Sequence, residues 1–150
     1  MSAFLLQVHK ILGTLSGIGF AKFAPGTVAS AVAAILFFLL NLHWPVAVLS
    51  IIVLFFVGIK SAGVLEKIYE KDASCIVIDE LVGMWIALLF VPHDFYYFFA
   101  AFVLFRFFDI SKILFVRKLE QLGGGLGVMA DDVLAGIYAN LLIQLFIYFQ

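Results

Sequence analysis

Charged residues are scarce in this chain of 150 residues. Lys, Arg, Asp and Glu account for 13% of it, hydrophobic residues account for 65%, and the mean hydropathy is +1.19. Soluble domains are about 45–50% apolar and about 25% charged. A soluble fold of this length has too little interior to hide so much apolar surface, so lipid must cover the remainder. We therefore expect an integral membrane protein.

Cysteine and clustered positive charge are also scarce. Cys75 is the single cysteine, so no internal disulfide can form. Leu81 stands where a cysteine-dependent phosphatase would carry an Arg, so we interpret Cys75 as a small apolar residue beside a helix start rather than a nucleophile. The net charge is −1 and the 9 Lys and Arg residues are scattered. This excludes the basic patch that is typical of nucleic-acid-binding proteins.

Five apolar runs predict an all-α bundle of about five short transmembrane helices. They cover residues 28–42, 46–59, 76–91, 95–108 and 133–149. A perpendicular span needs about 20 residues, so each run must recruit flanking residues, thin the bilayer or pack against neighbouring helices. Residues 3–18 mix apolar residues with His9, Lys10 and Thr14, which predicts an amphipathic interfacial or re-entrant helix. No repeat or linker divides the chain, so we expect a single domain over 1–150.

The positive charges all fall on one side of this bundle. With the N-terminus inside, the inner loops are 1–27, 60–75 and 109–132, and the outer loops are 43–45 and 92–94. No Lys or Arg lies in an outer loop; those on or beside the inner side are Lys10, Lys22, Lys60, Lys67, Lys71, Arg106, Lys112, Arg117 and Lys118. Because cytoplasmic loops carry an excess of Lys and Arg, this side is expected to face the cytoplasm.

Five carboxylates gather at the inner ends of three predicted spans. They are Asp79, Glu80, Asp109, Asp131 and Asp132. A carboxylate at the centre of a membrane helix costs about 2.5–3.5 kcal/mol, so these acids must lie near the interface and be compensated. Arg106 and Lys112 each lie three residues from Asp109 and can supply part of that compensation. A divalent cation is the economical partner for the rest, and oxygen ligands suit Mg²⁺ or Mn²⁺.

Each acidic group also has a structural interpretation. The two acidic pairs open predicted helices, where carboxylates complement the helix dipole. Asp109 lies near a helix C-terminus, where an acid opposes the dipole, but it could form an ion pair with Arg106. The convergence of all these groups on one membrane face favours a functional site over separate structural explanations.

Two glycine-bearing segments lie on the same side. Residues 24–27 (APGT) lead into the first span, with Ser30 one turn later, and residues 123–127 (GGGLG) lead into Asp131. Glycine-rich backbone before a helix can cradle phosphate, but neither segment has P-loop spacing. A flexible loop that lets helices approach is the equal alternative.

Small and amide residues inside the spans predict helix contacts. Gly83 and Gly136 allow close packing, and Asn140 is expected to donate a hydrogen bond to a neighbouring helix. Polar groups are otherwise rare in the middle of the spans, which disfavours an ion path.

Four motifs together resemble the phosphatidylglycerophosphatase A family of bacteria. They are residues 23–27 (FAPGT), 79–85 (DELVGMW), 105–112 (FRFFDISK) and 124–136 (GGLGVMADDVLAG), in the order of that family. The resemblance implies a Mg²⁺-dependent enzyme of the inner membrane, with its site facing the cytoplasm. Such an enzyme hydrolyses the terminal phosphate of phosphatidylglycerophosphate, giving phosphatidylglycerol and inorganic phosphate.

The resemblance also assigns expected roles. The expected catalytic residues are Asp79, Glu80, Asp109, Asp131 and Asp132. Of these, all but Asp109 are expected to bind Mg²⁺, whereas Asp109 could orient Arg106, bind metal or act as nucleophile. The expected phosphate-binding residues are Arg106, Lys112, Gly26 and Thr27. A metal-activated water and an aspartyl-phosphate intermediate stay open as alternatives, as do one or two metal ions, the acyl-chain preference and the oligomeric state.

One departure and three rivals accompany this hypothesis. The family usually carries Lys-Pro-x-Pro where this chain has Lys112 followed by Ile-Leu-Phe, so the helix is free to continue past Lys112. A CDP-alcohol phosphotransferase would need a longer Asp-Gly…Asp…Asp pattern than the chain contains. A small transporter would need polar groups at several depths, and a structural subunit would not need clustered acids.

Overall fold

All regular secondary structure in the described part of the chain is helical. The computed structural model describes residues 2–69, 73–113, 116–119 and 122–149. The helices in these ranges are α1 Ala3–Gly13, α2 Pro25–Leu40, α3 Trp44–Tyr69, α4 Ile78–Ala87, α5 Phe95–Ser111, α6 Val116–Leu119 and α7 Gly125–Tyr148, with a 3₁₀ turn at Ile18–Phe20. The predicted all-α class is confirmed. Lys71, Leu114 and Phe115 of the predicted inner loops lie outside the described residues.

Within the described ranges, two helices are long and apolar enough to cross a membrane. They are α3, with 26 residues and a mean hydropathy of 2.4, and α7, with 24 residues and a mean hydropathy of 1.5. α7 packs against α3, α4, α5 and α6, whereas α3 keeps much of its apolar surface exposed. α2 and α5, at 16 and 17 residues, are near the lower length limit of a span, about 17 residues.

Helix boundaries differ from the apolar runs at both long helices. α3 continues about two and a half turns of helix beyond Lys60, through most of the predicted inner loop 60–75, and α7 begins at Gly125 rather than at residue 133. Those loop predictions were wrong because an apolar run ends at the first charged residue. A helix continues for as long as its backbone hydrogen bonds and one packed face persist.

The predicted third span is shorter than its apolar run, whereas α3 and α7 are longer than theirs. Of the run 76–91, only the residues of α4 are helical. Ten helical residues rise about 15 Å, half the hydrocarbon core of a bilayer. Beyond α4, Asn140 Nδ2 donates to the carbonyls of Ala87 (3.1 Å) and Leu89 (2.7 Å), and Gln144 Nε2 donates to Leu89 (3.2 Å). Irregular backbone at membrane depth is tolerated when protein groups satisfy it. The predicted donor role of Asn140 is confirmed.

α4 and α7 pack closely at two glycines. A Cβ added to Gly136 would overlap the carbonyl oxygen of Gly83, and a Cβ added to Gly83 would come 2.6 Å from the carbonyl oxygen of Asp132. Side chains therefore cannot separate the two backbones here, and the predicted close approach at these glycines is confirmed.

The N-terminal helix lies against α3. His9 Nδ1 is 3.1 Å from Ser61 Oγ, and a Cβ on Gly13 would overlap the Leu65 side chain. α1 ends at Gly13, earlier than the predicted residue 18, and Phe4 and Ile11 expose an apolar side of it. An interfacial position for α1 stays a prediction.

We expect Gly136→Ala to lower the free energy of unfolding by about 1–3 kcal/mol, because the new methyl group overpacks the α4–α7 contact. Gly123→Ala is the matched control, since nothing lies within 4 Å of its added Cβ. Denaturant unfolding in detergent measures both. Equal stability of the two variants would contradict a tight backbone contact at Gly136.

Candidate active site

Four helices bring polar groups together at one end of the bundle. α2 contributes its first two turns, α4 its first turn, α5 its last two turns, and α7 its second and third turns. The groups in mutual contact include Glu80, Arg106 and Asp109, and Asp132 lies beside them. The structure therefore brings together acids that are separated by up to 52 positions in the sequence.

Arg106 is the cation at the centre of this group. Its Nη1 forms an ion pair with Glu80 Oε2 and lies 2.8 Å from Asp109 Oδ2. The side chains of Arg106, Glu80 and Asp109 are only 12–14% exposed, so water screens these charges weakly. The predicted pairing of Arg106 with Asp109 is present, and Glu80 of another helix joins it.

Ser30 is a site residue that the sequence did not single out as functional. Its buried hydroxyl lies 2.8 Å from Glu80 Oε2 and 2.8 Å from the Gly26 carbonyl oxygen, and it accepts from Arg106 Nη1 at 3.2 Å. A hydroxyl has one proton, so it donates to one of those two oxygens at a time. Its position one turn after the Pro-Gly-Thr segment was the available signal.

Gly26 lies where a side chain cannot. A Cβ at this position would overlap the Glu80 carboxylate and lie 3.3 Å from Arg106 Nη1. The first turn of α2, which also contains the half-buried Thr27, therefore approaches the ion pair directly. Backbone N–H groups of a first turn have no intrahelical acceptor and favour anions.

Three carboxylates are close enough to hold one cation. One oxygen from each of Glu80, Asp109 and Asp132 lies within 4.8 Å of the others. Asp132 is 3% exposed, and its Oδ2 has no hydrogen-bond partner among the described residues. Three carboxylates against one guanidinium leave a negative excess in a buried place. An unpartnered buried carboxylate oxygen beside two more carboxylates fits a divalent cation.

Asp79 and Asp131 flank this group. Asp79 Oδ1 accepts from the N–H of Glu80 at 3.0 Å, and Asp131 Oδ1 accepts from the N–H of Asp132 at 3.1 Å. Lys112 Nζ lies 3.7 Å from Asp131 Oδ2. The close group contains Asp109, which the sequence left with three possible roles. Metal binding by Asp79 and Asp131 stays a prediction.

The helix-dipole interpretation survives for one acidic pair and fails for the other. Asp79 and Glu80 occupy the first turn of α4, where acids complement the dipole. Asp131 and Asp132 are the seventh and eighth residues of α7, beyond the turn in which the dipole acts.

Two loop expectations near the site were wrong. α5 ends at Ser111 and does not continue, because Lys112 adopts a left-handed conformation (φ 46°) as its C-cap. The segment 123–127 is not a loop throughout, because α7 begins at Gly125, whose added Cβ would overlap the Ile59 carbonyl. Gly125 therefore lets α7 approach α3 closely, which was the alternative to phosphate binding for this segment.

Cys75 lies outside this arrangement. Burial raises the pKa of its thiol, partly offset by a backbone hydrogen bond. A raised pKa lowers the thiolate fraction at neutral pH. The interpretation of Cys75 as a non-nucleophilic residue is consistent with this environment.

Comparison with known proteins gives the family. The family model of phosphatidylglycerophosphatase A matches residues 11–147. The chain belongs to the phosphatidylglycerophosphatase A family. It is therefore a phosphatase, and the acidic end of the bundle is its candidate active site.

Three relatives have curated names. A Bacteroides thetaiotaomicron protein named "Putative phosphatidylinositol-3-phosphatase" is 50% identical, covering 89% of each chain. The Escherichia coli phosphatidylglycerophosphatase A is 33% identical, covering 81% of this chain and 73% of its own. The Haemophilus influenzae phosphatidylglycerophosphatase A is 47% identical, covering 48% of this chain and 45% of its own. No solved structure matches the chain.

We expect Arg106→Gln to destabilise the fold by about 3–5 kcal/mol, because it leaves Glu80 and Asp109 buried without their cation. Lys67→Gln, which removes an exposed cation at the end of α3, is the control and should change stability by no more than about 0.5 kcal/mol. Denaturant unfolding in metal-free detergent tests the pair. A similar small effect in both variants would contradict the central role of Arg106.

Proposed function

We propose that this chain hydrolyses the terminal phosphate monoester of phosphatidylglycerophosphate with Mg²⁺ held by its acidic group. The products are phosphatidylglycerol and inorganic phosphate. The observation that carries the proposal is the buried group of Glu80, Asp109 and Asp132, in which Asp132 Oδ2 lacks a partner among the described residues. Membership of the phosphatidylglycerophosphatase A family supports the substrate.

Glu80, Asp109 and Asp132 are the residues that would hold Mg²⁺, with Asp79 and Asp131 beside them. Mg²⁺ prefers oxygen ligands, and all five groups offer carboxylate oxygens. When bound, it supplies positive charge to the phosphate oxygens and acidifies a water molecule. Burial first, and repulsion between the carboxylates second, disfavour the ionised acidic group without a cation.

Arg106 and Lys112 take different parts in phosphate binding. Arg106 is already held by Glu80, Asp109 and Ser30, and its side chain is 14% exposed, so it acts first as the fixed counter-ion of the acids. The Lys112 side chain is 32% exposed beside Asp131, so it can reach an arriving phosphate. The N–H groups of Gly26 and Thr27 would donate to the same phosphate.

The chain is proposed to be a multi-pass protein of the bacterial inner membrane, with its acidic end at the cytoplasmic interface. α3 and α7 are the candidate spans. α2 and α5 are the next most suitable helices, and α4 with its following turns completes the fifth crossing. Exposed apolar side chains on several helices, such as Leu39, Leu49 and Phe146, support contact with lipid.

We expect Asp132→Asn to lower phosphate release from phosphatidylglycerophosphate micelles by at least about 10–100-fold. Losing a residue that only supports a metal ligand already lowers activity by that factor, and Asp132 is a proposed ligand itself. Excess chelator should abolish release by the wild type, and Mg²⁺ should restore it. Asp94→Asn is the control, because Asp94 caps α5 at the opposite end by accepting from the Tyr96 N–H at 2.8 Å. Release that ignores both chelator and Asp132→Asn would rule out the metal proposal.

The name of the Bacteroides thetaiotaomicron relative, which is 50% identical to this chain, makes phosphatidylinositol 3-phosphate a second candidate substrate. The same assay with both lipids separates the two. A kcat/KM that is higher for phosphatidylglycerophosphate supports the proposal, and the reverse order would assign the chain to the inositol lipid.

Membrane orientation can be tested with single cysteines in a Cys75→Ala background. His43 precedes α3 and Ser74 precedes α4, and both are exposed, so His43→Cys and Ser74→Cys place thiols in a predicted outer and a predicted inner loop. The protein is expressed in bacterial cells whose outer membrane is then permeabilised while the inner membrane stays intact. An impermeant maleimide should label position 43 in these cells, and position 74 only after lysis. The opposite pattern would invert the proposed topology.

A further inference from the structure

An apolar groove of about 380 Å³ runs between α2 and α5. Ala31 and Ala34 of α2 and Phe98 and Phe102 of α5 contribute to its walls. Its lining residues are Ala, Ile, Leu and Phe, so it offers nothing to a polar ligand. Two small side chains on α2 create the space that larger residues would fill.

The groove starts next to the acidic group. Ala34 follows Ser30 by four residues and Phe102 precedes Arg106 by four, so on each helix a site residue and a groove residue lie on the same face. Arg106 Nη1, 3.2 Å from Ser30 Oγ, joins the two helices at this end. A ligand with a phosphate at the acidic group would therefore find the groove within one helical turn.

The groove also has the depth and the opening that a lipid chain needs. From Ala31 to Leu39 α2 rises about 12 Å, close to the roughly 15 Å of one hydrocarbon leaflet. Ile35 and Phe99 line it and are 59% and 58% exposed, so it opens sideways toward lipid. At the far end the His93 ring stacks on Phe38 at 4.1 Å.

We infer that the α2–α5 groove binds one acyl chain of the phosphorylated lipid while its phosphate occupies the acidic group. The inference rests on the proposed function and adds the path of the substrate's apolar part. An acyl chain fits because the groove is lined by apolar side chains alone and begins about one helical turn from Ser30 and Arg106 of the acidic group. Its occupation would hold the phosphate ester at a fixed depth beside Arg106.

Ala34→Phe tests this by filling the groove. We expect it to raise KM for a long-chain phosphatidylglycerophosphate by about tenfold, because buried chain area is lost, and to leave KM for a short-chain, water-soluble analogue unchanged. Val32→Phe is the matched control, since Val32 lies on the same helix, is 37% exposed and does not line the groove. It should affect neither substrate.

The outcomes separate this inference from the proposed function. A wild type that is active on both lipids, with equal KM changes in the two variants, would overturn the groove alone. Loss of short-chain activity in Ala34→Phe would also overturn it, because the defect would then lie in the polar site. A wild type inactive on both lipids would overturn the proposed function and remove the basis of the inference.

A binding measurement gives a second readout. A lipid phosphate carrying a diazirine on its acyl chain should label the peptides containing Ile35 and Phe99, and unlabelled substrate or Ala34→Phe should suppress the labelling. Labelling that substrate does not compete would identify bulk lipid and overturn the proposal. Disulfide formation between copies of an Ile35→Cys, Cys75→Ala variant, with no lipid labelling, would instead assign the groove to a second copy of the chain.

Discussion

The Arg106 guanidinium is the interaction on which the acidic end of the molecule depends. It contacts Glu80 of α4 and Asp109 of its own helix, and it donates to Ser30 of α2. Removing charges from water is costly, and the cost is recovered only when partners and hydrogen bonds are well placed. The Arg106 guanidinium thereby allows the polar ends of three apolar helices, α2, α4 and α5, to lie in contact with one another.

A single guanidinium does not balance its surroundings. Asp132 brings a third carboxylate beside Glu80 and Asp109, with one buried oxygen that no described residue satisfies. A fold built only for stability would gain by replacing such a group with an apolar residue. Its presence at the meeting point of α4, α5 and α7 is the physical argument for a ligand of opposite charge, and it agrees with phosphatase chemistry.

The sequence predicted features that depend on neighbouring residues, but not those that depend on contacts between distant helices. The helical class and the convergence near Arg106 and Asp109 followed from local patterns, because each charged group lies at or near one end of an apolar run. The exact partners did not follow: a charge at a helix end does not reveal which neighbour it faces, so the inclusion of Asp109 in the close group was left open. Ser30 is a single hydroxyl on an apolar helix and has no periodic signal. The C-terminal end of α4 could not be predicted from the sequence either. An apolar run looks the same whether it is helical or forms turns whose carbonyls accept hydrogen bonds from Asn140.

The close contact of Gly83 with Gly136 connects helix packing to the chemistry. Glu80 precedes Gly83 by three residues and Asp132 precedes Gly136 by four, so the contact lies one helical turn from each acid. A larger residue at either glycine would separate α4 from α7 and increase the distance between the two carboxylates. Asn140 holds the far end of α4, two turns beyond Asp132 on the same face of α7. α4 is therefore fixed along its length by α7, and its depth relative to α7 positions Glu80 beside Asp132.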